Sequence, residues 1–336
     1  MEPNTTAAPR KKRIFSAIQP SGPLSLGNYI GALRHWVDLQ DEYECIFALA
    51  DLHTITVRQK PADLRRNTLE AYALLLALGI DPKKSPFFLQ SHVPAHSQLA
   101  WILDCYTQFG ELQRMTQFKD KAARHADNIN AGLFTYPSLM AADILLYQAD
   151  FVPVGEDQTQ HVELTRNIAQ RFNNAYSPTF TMPEPLVYKV GKRVMSLQDP
   201  SHKMSKSDPN GCVYLLDKPD DILRKFKRAV TDSDTVVRYA PEKPGINNLM
   251  DIYSAATGAS YEEIERAFDG KGYGAFKQAV GEAVVEMLRP IQEKYAAYMQ
   301  NKDYLAECWR AGAEQASRIA NKTLQKVMRK VGFVLD

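Results

Sequence analysis

The sequence has 336 residues, a formal net charge of +2, 45% hydrophobic residues and 24% charged residues. This composition is ordinary for a globular protein and excludes wholesale disorder, whereas a nearly balanced charge neither requires nor excludes a nucleic acid partner. No apolar run approaches membrane-spanning length, and the four scattered cysteines form no Cys-x-x-Cys pair, which disfavours a zinc ribbon or an iron–sulfur cluster. We therefore expect a cytoplasmic protein with reduced thiols and no membrane contact.

The N-terminal half alternates strand and helix signals. Residues 1–12 are predicted to be a disordered tail, and the apolar stretch after the basic run is too short for a signal peptide. Helical patterns follow at 28–39 and after Pro61. Three short runs predict strands, and these runs cover 13–18, 44–51 and 86–90.

This alternation predicts an α/β fold with a doubly wound, Rossmann-like parallel sheet. Ligands bind such sheets outside the carboxyl ends of the strands, so the turn after Ile18 is a candidate ligand loop. From about Pro219 the pattern becomes mainly helical, notably over 273–300 and 303–330. The predicted organisation is a catalytic domain over 13–200, a mobile loop and linker over 201–218, and a helical domain over 219–336, part of which can pack back on the first.

The most specific motif is the string KMSKS at 203–207, in a polar loop. A solvated basic loop is the usual meaning of clustered Lys and Ser, but a fixed string of five residues is rarely random. Adenylate formation builds negative charge on the departing pyrophosphate, and Lys203 and Lys206 can follow that charge into the transition state. The string therefore predicts an ATP-using, adenylate-forming enzyme whose loop closes on the nucleotide.

A second motif, PSGPLSLGN at 20–28, follows the first predicted strand and begins a helix. Gly27 lets the backbone approach a nucleotide, Ser25 and Asn28 can hydrogen-bond phosphate or ribose, and a helix N-terminus favours anions. Alone, this pattern more commonly means a strand-to-helix turn with an N-cap. With the lysine string downstream, it predicts the other half of an ATP site.

The two motifs resemble the two signatures of class I aminoacyl-tRNA synthetases. Four strings narrow the resemblance to the bacterial-type tryptophanyl-tRNA synthetases over nearly the whole chain: FSAIQPSG at 15–22, GELQRMTQFK at 110–119, MAADILLY at 140–147 and PVGEDQ at 153–158. The sequence departs from the class pattern at Ser25, where the first signature usually begins with His. The resemblance implies activation of L-tryptophan with ATP to tryptophanyl-adenylate and pyrophosphate, followed by transfer to the 3′ end of tRNA(Trp).

The resemblance also implies a tryptophan site. Indole offers an N–H donor and no acceptor, so its pocket needs an acceptor, and Asp143 matches the family position for it, although a lone helical Asp commonly faces solvent. Tyr136 and Gln158 match the positions for the substrate ammonium group. His53 alone would more often be a strand-end histidine with a satisfied ring. The implied tryptophan-binding residues are Asp143, Tyr136, Met140, Gln158, His53 and Phe15.

The implied ATP site has a larger residue set. The residues matched to ATP binding are Gln19, Pro20, Ser21, Gly27, Asn28, Gly155, Glu156, Asp157, Val194, Lys203, Met204, Ser205, Lys206 and Ser207. Those matched to catalysis are Gln19, Asn28, Lys203, Lys206 and Ser207. The sequence shows no cluster of metal ligands, so no protein-bound metal is expected, and Mg²⁺ should arrive with ATP on its phosphate oxygens.

The resemblance further implies a homodimer that binds tRNA(Trp). The apolar region 79–106 is a candidate for the dimer interface. A basic stripe near the C-terminus, which is usually a solvated helix face, is the candidate for phosphate contact. This stripe comprises Arg318, Lys322, Lys326, Arg329 and Lys330.

Three other functions stay open at this point. A tyrosyl-tRNA synthetase shares the plan, although its pocket should hold a further polar partner, because a phenol both donates and accepts. A small nucleotidyltransferase shares the phosphate-binding turn but lacks a long helical C-terminal part. A non-catalytic RNA-binding relative is disfavoured by the intact lysine string.

Overall fold

The structure, a computed structural model, describes residues 11–124, 128–155, 158–186, 193–206 and 208–335. Its described residues form a parallel sheet of five strands in the order β3-β2-β1-β4-β5. The strands are β1 (Arg13–Ile18), β2 (Glu44–Leu49), β3 (Phe87–Leu89), β4 (Phe151–Pro153) and β5 (Glu184–Leu186). This order reverses between β1 and β4, which is where an open α/β sheet forms its ligand crevice.

Helices connect and cover these strands. Those in the first part of the chain are α1 (Leu26–Asn28), a π-helical turn (Tyr29–Leu33), α2 (Arg34–Glu42), α3 (Asp51–Thr54), α4 (Pro61–Leu78), a 3₁₀ turn (Gln90–His92), α5 (Ala95–Asp104), α6 (Phe109–Arg114), α7 (Thr116–Arg124), α8 (Ala131–Leu146) and α9 (Thr159–Ala175). Those in the last part are α10 (Pro219–Lys227), α11 (Pro244–Thr257), α12 (Tyr261–Phe268), α13 (Gly272–Gln300) and α14 (Lys302–Val331). The predicted α/β class with a helical C-terminal part is confirmed.

Side-chain alternation along the strands divides the core between the two faces of the sheet. On β1, Ile14 belongs to one hydrophobic cluster and its neighbour Phe15 to the other. On β2, Phe47 and Ile46 divide in the same way. Successive side chains of a strand point to opposite faces, so helices bury both faces, as a doubly wound sheet requires.

The C-terminal helix α14 packs against both clusters. Leu305, near its start, joins the cluster that contains α4, α10, α11 and α13, whereas Ala320 joins the cluster on the opposite face. Between them, Gly312 lies against the backbone of Phe87 in the edge strand β3. The helix therefore covers a sheet edge that would otherwise present unpaired backbone groups.

The predicted domain boundaries remain predictions, but the structure describes the packing across them. Helix α10 begins at Pro219, and α13 packs on α4 of the sheet-forming part. The backbone of 24–26 pairs with that of 213–215: the amide of Leu26 donates to the Val213 carbonyl at 2.8 Å. The turn PSGPLSLGN at 20–28, named the first nucleotide turn after its predicted role, is thus joined directly to the segment after the lysine string KMSKS at 203–207.

Candidate active site

A cavity of about 430 Å³ opens where the strand order reverses. Its walls include the end of β1 and the residues after it, through Gln19, and the end of β4 through Gly155. Helix α8 supplies a further wall. The position follows the rule for open α/β sheets, and the volume lies in the range of small-molecule sites, about 300–1,000 Å³.

The cavity brings the whole predicted tryptophan set together. These residues come from β1, α3, α8 and the segment before α9, which are far apart in the chain. The members that line the cavity are Phe15, His53, Tyr136, Met140, Asp143 and Gln158. Their roles toward a substrate stay predictions, but their convergence on one space is a structural finding.

Asp143 is buried in α8, so a solvent-facing position is wrong for this aspartate. One carboxylate oxygen, Oδ2, lies 2.7 Å from Nε2 of His53. The other, Oδ1, lies 2.6 Å from both Nε2 of Gln90 and Nδ1 of His96. Burial raises the pKa of Asp143, but the charge and hydrogen bonds of the two histidines outweigh it and hold the pKa at about 2. The cavity therefore presents an ionised acceptor.

His53 has the satisfied ring expected of a histidine after a strand, since β2 ends at Leu49 and α3 follows at once. Its satisfying partner is Asp143 itself, and the ring also lines the cavity. The structural and functional interpretations of His53 are therefore compatible.

The cavity wall also contains residues that the sequence did not assign to the site, among them the polar residues His161 and Gln117. Nε2 of His161 lies 2.8 Å from the Tyr136 hydroxyl, and burial raises the pKa of that hydroxyl. His161 stands three positions after Gln158 at the start of α9, so helical spacing from the PVGEDQ string was the signal that could have identified it.

The first nucleotide turn is a helix N-cap of the common kind. The Ser25 hydroxyl accepts from the amide of Asn28 at 3.2 Å, and the amide of Ser25 donates to Asn28 Oδ1 at 3.0 Å. Ser25 is buried. The Ser25 hydroxyl therefore stabilises the turn, as expected of a strand-to-helix turn with an N-cap.

The two motifs of the predicted ATP site lie against each other. A Cβ built on Gly27 would stand 3.6 Å from that of Met204 and 3.7 Å from that of Val194. The amide of Met204 donates to the Val194 carbonyl at 3.0 Å, and the Lys206 ammonium donates to the Gly22 carbonyl at 3.3 Å. The lysine string is thus docked on the first turn.

The members of the lysine string differ in exposure. Lys203 and Ser205 are exposed, Met204 is buried in the core, and Lys206 is half-buried. Burial lowers the pKa of Lys206. The buried methionine anchors the loop and leaves the first lysine in solvent.

The remaining predicted ATP residues divide into two groups. Pro20 is buried, Ser21 is exposed, and the Ser21 amide donates to the Gln19 carbonyl at 2.9 Å. Three predicted residues lie outside the described part of the chain: Glu156, Asp157 and Ser207. The described residues include no group of three or more His, Cys, Asp or Glu that could hold a metal ion.

The predicted basic stripe on α14 has partners on the sheet-forming part. Lys330 donates to the carbonyl and hydroxyl oxygens of Ser177 and to the Thr179 hydroxyl, and Lys326 donates to the Pro178 carbonyl. Two of the stripe lysines therefore fasten α14 to segment 177–179. A phosphate contact for this stripe stays a prediction.

The sequence pattern of the family "tRNA synthetases class I (W and Y)" matches residues 8–289. The match covers the cavity, the first nucleotide turn and the lysine string. The chain therefore belongs to this family of class I synthetases.

Individual relatives indicate which branch of this family the chain resembles. Tryptophan–tRNA ligases of Clostridium tetani and Wolinella succinogenes are each 56% identical, over 97% and 96% of this chain and 97% and 99% of their own lengths. The crystal structure of tryptophanyl-tRNA synthetase from Mycoplasma pneumoniae superposes with a TM-score of 0.87 at 38% identity, covering 96% of this chain and 98% of that one. The Campylobacter jejuni synthetase, complexed with ADP and tryptophan, gives 0.85 at 35%, covering 96% and 100%. The predicted family, that of the bacterial tryptophanyl-tRNA synthetases, is confirmed.

Proposed function

We propose that the protein activates L-tryptophan with ATP and transfers the tryptophanyl group to the 3′ end of tRNA(Trp). The observation that carries this proposal is the convergence of six predicted tryptophan residues on one cavity at the sheet's switch point, with the ionised Asp143 in its wall. The cavity supplies an acceptor for the one N–H of indole within a largely apolar surround.

Tryptophan is proposed to bind with its indole N–H donating to Asp143. Phe15, Met140 and His53 line the space for the ring, and Tyr136 and Gln158 lie at the wall where the ammonium group would be bound. Asp143 has protein donors, but an acceptor site of a buried carboxylate that stays unfilled costs free energy, so the site disfavours side chains that lack the N–H.

In the first step, a carboxylate oxygen of tryptophan attacks the α-phosphorus of ATP. A new P–O bond forms, the bond from that phosphorus to the bridging oxygen breaks, and pyrophosphate leaves with the electron pair. Lys203 and Lys206 are proposed to stabilise the charge on the leaving group, with Ser207 beside them. Lys206 can exchange its 3.3 Å contact with the Gly22 carbonyl for a phosphate oxygen.

The rest of ATP is proposed to lie along the two docked motifs. Gln19, Pro20, Ser21, Gly27 and Asn28 would contact phosphates and ribose. The residues assigned to the adenosine end and the loop backbone are Gly155, Glu156, Asp157, Val194, Met204 and Ser205. Mg²⁺ is proposed to enter on the phosphate oxygens and to offset their negative charge.

In the second step, a hydroxyl of the terminal ribose of tRNA attacks the adenylate carbonyl: an ester C–O bond forms, the bond from the carbonyl carbon to the phosphate oxygen breaks, and AMP leaves with the electron pair while the hydroxyl proton passes to its phosphate or to solvent. The helical part, with the basic stripe of α14, is proposed to contact the tRNA. We propose a cytoplasmic location, which the four unpaired cysteines support. No helix in the described ranges is long and apolar enough to cross a membrane.

A homodimer is also proposed, with its interface at the exposed apolar surface around α5. Trp101 is 70% exposed and Ile55 58% exposed, and both line a groove of about 410 Å³ with Leu52 and Leu139. Exposed tryptophan side chains in a groove are typical anchors of protein interfaces. Trp101 lies within the predicted interface region 79–106, whereas Leu52, Ile55 and Leu139 come from outside that region of the sequence.

Exchange of labelled pyrophosphate into ATP tests the activation step. We expect exchange with tryptophan and none with tyrosine. In Asp143→Ala, kcat/KM for tryptophan should fall about 10–100-fold, the loss of a hydrogen bond to a charged acceptor, with the KM for ATP within about twofold. The control is Asp38→Ala, which truncates an exposed aspartate in α2.

Each failure has a distinct meaning. Exchange with tyrosine alone would refute the amino-acid assignment. Unchanged tryptophan kinetics in Asp143→Ala would refute the acceptor role. Failure of the wild type to charge tRNA would favour a non-catalytic RNA-binding relative.

A further inference from the structure

A layer of buried polar side chains lies behind the cavity wall. Gln90, His96 and Tyr147 are each at most 1% exposed, and they stand behind Asp143, which lines the cavity. Polar side chains are rarely buried to this degree unless their hydrogen bonds are satisfied. All three belong to one network that ends on the Asp143 carboxylate.

The network leaves the carboxylate with limited capacity. An ionised carboxylate has about four lone-pair sites, two on each oxygen. Gln90 and His96 both approach Oδ1, which occupies its two sites, and His53 occupies one site of Oδ2. The remaining site on Oδ2 is therefore the acceptor that a ligand in the cavity can use.

The donors in this network all point toward Asp143. A carboxylate cannot donate, so Nδ1 of His96 must carry the proton that bridges the 2.6 Å to Oδ1. Nε2 of the same ring is hydrogen-bonded to the Tyr147 hydroxyl, 2.8 Å away. Tyr147 also stacks on Phe15 of the cavity wall, with ring centroids 5.2 Å apart and planes 7° apart. One buried series of hydrogen bonds therefore positions both the Asp143 carboxylate and the ring of Phe15.

We propose that His96, oriented by Tyr147, is a positioning residue for tryptophan selection. It binds Oδ1 and thereby fixes the rotation of the Asp143 carboxylate, so that the vacant site of Oδ2 faces the indole N–H. His96 acts through Asp143 and makes no contact with substrate itself. The inference rests on the proposed function, because it explains how the proposed acceptor is aimed.

The test compares tryptophan with its sulfur isostere, 3-benzothienyl-L-alanine, which keeps the ring shape and lacks the N–H. Pyrophosphate exchange gives kcat/KM for both amino acids, and their ratio measures recognition of the N–H alone. In His96→Leu this ratio should fall about tenfold, since a misaligned charge-assisted hydrogen bond loses about 1.4 kcal/mol of selectivity. The KM for ATP should change less than about twofold.

Conservative variants separate positioning from packing. The amide nitrogen of His96→Asn can occupy the place of Nδ1, so this variant should recover the ratio to within about threefold of wild type. Tyr147→Phe removes only a hydroxyl and should lower the ratio about threefold. Leu99→Ala, a buried truncation one turn further along α5, should reduce stability and leave the ratio unchanged.

An unchanged ratio in His96→Leu would overturn the inference, whatever happens to stability. If that variant does not fold, an unchanged ratio in Tyr147→Phe overturns it instead. A wild-type ratio near one would refute Asp143 as acceptor and the inference with it, whereas absence of any tryptophan-dependent exchange would refute the proposed function.

Discussion

Gly312 offers a sharp test of how α14 is bound to the sheet. A Cβ at this position would lie 2.1 Å from the Phe87 carbonyl oxygen and 2.8 Å from its carbon. Relief to an ordinary 3.4 Å contact requires a shift of roughly 1.3 Å, and both sides of the contact are backbone. The carbonyl of Phe87 also accepts a 2.9 Å hydrogen bond from the Tyr72 hydroxyl, which the shift would disturb.

These distances give a magnitude for Gly312→Ala. Overpacking costs about 1–3 kcal/mol, and the upper end applies where backbone must move. Alanine stabilises a helix by about 1 kcal/mol relative to glycine. We therefore expect the free energy of unfolding to fall by about 2 kcal/mol in total. Urea unfolding followed by circular dichroism measures this loss, with the wild type and the variant compared at a common m-value, the dependence of the free energy of unfolding on urea concentration.

Gly274→Ala is the matched control. Gly274 lies in α13, and a Cβ there would meet nothing within 4 Å. This variant should match the wild type or gain up to about 1 kcal/mol. Equal stabilities for the two variants would refute the close approach of α14 to β3.

Three further predictions concern the site and the surface. Lys206→Met should lower the kcat of pyrophosphate exchange about 100-fold and leave the KM for tryptophan unchanged. The control Lys302→Met, at an exposed and remote lysine, should match the wild type. A raised KM with an unchanged kcat in Lys206→Met would contradict the leaving-group role. The pKa of Asp143 is lowered from 3.8 to about 2, so its contribution to stability is present above pH 4 and declines as the pH falls. In urea unfolding, the wild type should therefore lose about 1 kcal/mol more than Asp143→Asn by about pH 3. An equal dependence of the free energy of unfolding on pH in the two proteins would contradict this. Trp101→Glu should weaken self-association about 30-fold or more in analytical ultracentrifugation, whereas Val334→Glu, at a fully exposed apolar residue, should not; equal association of the two variants would place the interface elsewhere.

The first three strands were predictable because their runs are apolar, and β1 starts and ends as predicted. The last two were not. Strand β4 has only three residues, with Pro153 among them, and β5 has Pro185 at its centre and is largely exposed. Short strands with proline and without a buried run lack the period-2 signal, because neighbouring strands specify them more than their own residues do.

The candidate site was predictable where residues sit in contiguous strings and hidden where they do not. Asp143 stands out as a charge within the apolar string MAADILLY. Gln90 and His96 belong to a different part of the chain, and nothing local marks them as partners of Asp143. The contact of His96 arises from the packing of α5 against α8, and Gln90 reaches Asp143 from the 3₁₀ turn before α5, so residues about 50 positions apart meet. Polar residues next to apolar runs, such as Gln90 after Phe-Phe-Leu, were the available signal.

The two halves of the site differ in how they are held, and the difference matches their proposed tasks. The proposed acceptor for tryptophan, Asp143, is held by three buried donors on separate elements, so we expect the amino acid to bind without a rearrangement of these elements. Lys206 is instead half-buried and bound to the Gly22 carbonyl at 3.3 Å, a contact that a phosphate oxygen can replace with a stronger, charge-assisted one. We therefore expect amino-acid selection to rest on a preformed arrangement, and the pyrophosphate step to use a lysine whose present hydrogen bond is exchanged when ATP binds.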